Sequence, residues 1–112
     1  MPSPAPSVVT AVVTTAPDSE VARALATRIV EERLAACANV VPGVTSIYWW
    51  EGTVQQEGEV MVVFKTTAER LDALRDRVLE LHPYEVPEVI AFPVAEGSKD
   101  YVSWVAREVG SA

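Results

Sequence analysis

Val60-Met61-Val62-Val63-Phe64 constrains this chain more than any other stretch. Successive side chains on a strand point to opposite faces, and here both alternating sets are apolar. Such a strand needs cover on both sides. The chain must supply two layers itself or borrow one from another copy. Its 112 residues suffice for one domain with a genuine core and not for two.

The order of elements says which layers are available. Val8 to Thr15 is β-branched almost throughout and reads as a buried strand. Ala16-Pro17-Asp18-Ser19-Glu20 is a helix start, with Asp18 or a neighbour as cap. From Val21 to Ala36 the residues Ala22, Leu25, Ala26, Ile29, Val30 and Leu34 share one helical face. Asn39 to Gly52 has strand composition, interrupted at Pro42-Gly43 as a bulge or edge position would be. Gly52-Thr53 begins a short turn, and Glu59 to Thr67 is the returning strand of a hairpin. Thr67 to Leu81 is again helical, Glu88 to Val94 is a fourth strand, and Ser98 to Val109 closes as a short helix.

That order is βαββαβ plus a terminal helix. It predicts an α+β ferredoxin-like sandwich, an antiparallel sheet with both main helices on one face. The second face keeps only the short C-terminal helix, and Ile47, Tyr48, Trp49 and Trp50 add further unsheltered apolar surface. Large apolar patches on small domains mark interfaces, so the pattern predicts a homo-oligomer.

Composition excludes several classes. A formal charge of −7, with nine scattered Lys and Arg against sixteen acids, argues against nucleic acid. Residues 1–7 hold three prolines and two serines and read as a disordered tail before a single domain over 8–112. The run Val8 to Val13 is too short for a membrane span, and no basic segment precedes it as in a signal peptide. One cysteine leaves no internal disulfide, which fits a reducing, cytoplasmic setting.

Six segments in register resemble one family. They are Thr14 to Asp18, Arg33 to Gly43, Ser46 to Gly52, Lys65 to Thr67, His82-Pro83-Tyr84-Glu85-Val86-Pro87-Glu88 and Tyr101 to Trp104. Together they look like the CutA divalent-cation tolerance proteins. The resemblance implies a tight homotrimer whose long hairpins pair between subunits, a cytoplasmic location and a role in tolerating copper and other divalent ions. In some members of that family copper is placed near a cysteine just before the Thr-Ala-Pro-Asp turn and near paired histidines at the end of the second helix. Those positions are Thr14 and Leu81 here, so His82 alone remains of that set.

The residues themselves leave two readings each. His82 can bind a metal or shuttle a proton, or cap the helix end beside it. Cys37, placed at the end of the first helix, is either a buried thiol or a soft-metal ligand suited to Cu(I). A Cys-His nucleophilic pair lacks a readable third group, and no paired-carboxylate, zinc-type or phosphate-loop motif is present, so the chain is not expected to be an enzyme. Glu85 and Glu88 are oxygen donors for a hard cation, or solvated acids. Tyr48, Trp50 and Tyr84, with Lys65 at its strand end, suit either packing or the walls of a pocket between subunits. The leading expectation is a trimeric metal-responsive protein binding copper or another divalent cation weakly through His82, Cys37, Glu85 and Glu88. The alternatives are a small-molecule sensor resembling PII signalling trimers and a purely structural trimer.

Overall fold

Asp18 starts the first helix as its sequence promises: its carboxylate accepts the Val21 amide at 2.8 Å, satisfying one of the free donors at a helix start. The computed structural model describes residues 8–110, so the tail read at 1–7 lies outside the described residues. The elements are β1 (Val9–Ala16), α1 (Ser19–Glu31), β2 (Cys37–Trp50), β3 (Thr53–Thr67), α2 (Leu71–Leu81), β4 (Val89–Pro93) and α3 (Lys99–Gly110). A single 3₁₀ turn, Ala68–Arg70, leads into α2. The four strands form one antiparallel sheet in the order β2-β3-β1-β4, the ferredoxin-like arrangement that βαββαβ predicts.

Alternation decides what each face carries. Val12 and Ala16 of β1, with Val60, Val62 and Phe64 of β3, are buried against Leu25 and Ile29 of α1 and Leu74 and Val78 of α2. The intervening residues Met61, Val63 and Lys65 point to the opposite face and are half-buried. There α3 covers one end, with Val105 and Val109 fully buried and Tyr101 against Cys37. The demand for cover on both sides of β3 is therefore met only in part.

Three boundaries differ from expectation. Helix α1 stops at Glu31, because Arg33 turns into the left-handed region at φ 58°. The amides of Arg33 and Leu34 then return to the carbonyls of Val30 and Ile29 at 3.0 and 3.1 Å, the Schellman closure. Cys37 is accordingly the first residue of β2 and not part of a helix end. Strand β3 begins at Thr53, so the hairpin turns on Glu51-Gly52. Both have positive φ, 48° and 82°, as a tight two-residue turn requires.

Pro42-Gly43 does form a bulge, with Val41 opposite Met61 and Val44 opposite Glu59. One extra residue on β2 reverses its alternation. Beyond it Val44, Ser46, Tyr48 and Trp50 join the face that carries Glu57 and Glu59, while Ile47 and Trp49 project away. Without the bulge, Tyr48 and Trp50 would point elsewhere.

Candidate functional site

The distal hairpin and the loop after α2 enclose an open groove of about 800 Å³ on the sheet face opposite α1 and α2. That volume lies in the range of small-molecule sites. Tyr48, Trp50 and Tyr84 line it with Glu57, Glu59, Glu85 and Glu88, and no lysine, arginine or histidine does. Glu59 is buried and accepts a hydrogen bond from the Tyr84 hydroxyl at 2.8 Å. Burial first, then that bond to Glu59, holds the Tyr84 hydroxyl far above the usual tyrosine range. Tyr48 is raised as well, by burial and then by the neighbouring Glu57 carboxylate. The groove thus concentrates negative charge between aromatic walls.

His82 lies beneath this region with both ring nitrogens engaged. Nε2 sits 2.8 Å from the Thr15 carbonyl, which can only accept, so Nε2 carries the proton. Nδ1 then accepts the Tyr84 amide at 3.1 Å. The ring also packs against that of Tyr84, with centroids 4.8 Å apart. Its own amide continues α2 by bonding the Val78 carbonyl at 2.9 Å. The imidazole locks the Pro83–Pro87 loop to β1 and sets the position of Tyr84.

Cys37 stands elsewhere. It lies opposite Lys65, whose other strand neighbour is Ala11, whereas Thr15, the partner of His82, lies opposite Met61. Four residues of β3 separate those levels, about 13 Å. The Cys37 Sγ shares a hydrogen bond with the Tyr101 hydroxyl at 3.2 Å. That bond, followed by burial, pushes the Tyr101 hydroxyl up to about 12.

The structure therefore brings Tyr48, Trp50, Tyr84, Glu85 and Glu88 to one groove and leaves Cys37 and Lys65 at the other end of the sheet. Lys65 bonds the Asn39 side-chain oxygen. Among the described residues, no three His, Cys, Asp or Glu side chains converge as a metal cage would require. Sequence reasoning missed Glu57 and Glu59. Their signal was a pair of acids two positions apart, Glu57 and Glu59, just before an apolar stretch, which puts both on one face of a strand.

Residues 10–108 match the model of the CutA1 divalent ion tolerance proteins. The divalent-cation tolerance protein CutA of Thermus thermophilus is 50% identical over 88% of this chain and 96% of that protein. The chloroplastic protein CutA 1 of rice is 47% identical over 89% of this chain, which spans 55% of that protein's length. The solved structure of the Thermus thermophilus divalent cation tolerance protein superposes with a TM-score of 0.88, covering 91% of this chain and 99% of that one.

Proposed function

The chain belongs to the CutA1 divalent ion tolerance family, and from that membership we propose that it acts in the tolerance of divalent metal ions as a non-enzymatic cytoplasmic homotrimer. The observation that carries this reading is the groove, whose carboxylates have aromatic walls and no cation of their own chain among the lining residues. An anionic concavity raises the local concentration of cations. With the His82 nitrogens bonded and Cys37 at the far end of the sheet, the free donors there are carboxylate oxygens. Copper or another divalent cation meets Glu85 and Glu88 at the exposed rim. Binding is weak because too few ligands converge.

Assembly is supported by the uncovered sheet face and by Ile47, Trp49, Val54, Ile90 and Phe92, all large, apolar and exposed. The cytoplasmic setting rests on the single cysteine. No helix among the described residues is long and apolar enough to cross a membrane.

Calorimetric titration of copper, zinc and magnesium into the purified protein, with mass by light scattering, tests the reading. Replacing both Glu85 and Glu88 by glutamine should weaken copper binding about tenfold, roughly 1.4 kcal/mol. Identical isotherms for parent and variant, or a monomeric mass, would refute it.

A further inference from the structure

Glu59 and Lys65 point to the same face of β3, six residues apart, and neither takes part in an ion pair among the described residues. Glu59 is only 9% exposed, and its one hydrogen bond comes from a neutral tyrosine. A carboxylate that deep is ordinarily paired with a cation. Its own chain offers none, since no basic residue lines the groove. Lys65 is the mirror case: half-buried on the sheet, with its ammonium on the neutral Asn39 amide oxygen.

Six strand residues separate the two, about 20 Å, which no lysine side chain spans. Between them lie Met61 and Val63, half-buried apolar side chains, beside Val41, which is 43% exposed. The other cations outside ion pairs do not fit the role. Arg23, Lys99 and Arg107 lie on exposed helix surfaces, and Arg70 bonds the Val109 carbonyl.

We propose that Lys65 of a second copy enters the groove and pairs with Glu59, so that each groove is built from two chains. The inference rests on the homo-oligomer of the preceding reading and names the contact that forms it. The acidic, aromatic end of one sheet face meets the lysine end of the next, and the apolar stripe between them is covered. A surface whose two ends complement each other can pair reciprocally about a two-fold axis or join head to tail, and head-to-tail contacts whose rotation closes form a ring. The trimer of the preceding reading requires the second. Lys65 then completes the pocket that Tyr48, Trp50 and Tyr84 begin, and Cys37, opposite it, arrives at the same boundary. A groove of this kind carries both signs of charge and exists only in the assembly.

The test is zero-length carbodiimide coupling of amine to carboxylate in assemblies refolded from mixed ¹⁴N and ¹⁵N chains. The expected result is a Lys65–Glu59 cross-linked peptide of mixed isotope content, together with a trimeric mass by light scattering. A trimer in which Lys65 couples to another carboxylate, or to none, overturns the inference and leaves the trimer standing. A monomeric mass overturns both. As a second arm, Lys65→Glu, at a half-exposed position, should keep its circular dichroism and lose the trimeric mass. A variant that stays trimeric and matches the parent's resistance to dilution overturns the pairing.

Discussion

His82 binds the carbonyl of Thr15, a residue 67 positions earlier in the chain, at 2.8 Å. With the Tyr84 amide on its other nitrogen, the ring joins β1 to the start of the proline-bounded loop. His82→Ala should therefore act on stability first. It removes two hydrogen bonds and leaves a buried cavity, costing about 2–3 kcal/mol. Urea unfolding would measure that loss. Copper titration of the same variant should give an affinity within about twofold of the parent, well short of the tenfold loss expected of a ligand. A stable variant that no longer binds copper would assign the imidazole to the metal.

Thr14 has the opposite balance. Its hydroxyl is fully buried and has no hydrogen-bond partner among the described residues, on the face packed by α1 and α2. Leaving a hydroxyl unbonded in an apolar site costs about 1–3 kcal/mol. Thr14→Val keeps shape and β-branching while removing that cost. The variant should be more stable by about 1 kcal/mol, read as a higher urea midpoint at unchanged slope. A lower midpoint would mean that the hydroxyl finds a partner in solution.

The fold was readable because periodicity changes cleanly along the chain. The β-branched composition of β1, the apolar run of β3, helical spacing in α1 and α2, and the Pro42-Gly43 interruption each predicted a feature that the structure has. Cys37 was misplaced for a local reason. Leu34 continues the helical spacing of Val30, and the residue that ends the helix is Arg33, where glycine would have given the signal. The site was half legible. Tyr48, Trp50 and Tyr84 line one groove within a single chain, whereas Lys65 stands at the other end of β3, because extended strands separate residues by about 3.3 Å each. The pocket read from the sequence was one between subunits, which a single chain does not contain. The engagement of His82 depends on a carbonyl of β1, which no local pattern can show.

Arg33 offers a test of that helix end. A non-glycine residue in the left-handed region costs about 1 kcal/mol, and Arg33 sits there at φ 58°. In return, its guanidinium reaches the Glu108 carbonyl and carboxylate at 3.0 and 3.1 Å, tying α1 to the end of α3. Arg33→Gly relieves the backbone and loses the exposed pair, contributions of similar size. It should lie within about 0.5 kcal/mol of the parent. Arg33→Ala keeps the strain and loses the contact, so it should be about 1 kcal/mol less stable. If Arg33→Gly falls below the parent by clearly more than about 0.5 kcal/mol in thermal unfolding, the tie to α3 outweighs the backbone term.

Alkaline pH tests the contact at the other end of the sheet. The bond to Cys37, followed by burial, holds Tyr101 at about 12 in the fold, against about 10 in an unfolded chain. The folded state keeps this proton more tightly, so the associated stability is complete below about pH 10. It is lost as pH rises toward 12. The loss should appear as a falling unfolding midpoint across that window, with α3 loosening from the sheet as the phenolate forms. Tyr101 is 42% exposed, so solvent screens the contact and the effect should be modest. Tyr101→Phe removes the titrating group and should flatten this part of the profile. Phenolate absorbance in the parent should show one tyrosine ionising near 12 and Tyr84 still later. A parent in which all tyrosines ionise together near pH 10 would show that the Cys37 contact does not hold in solution.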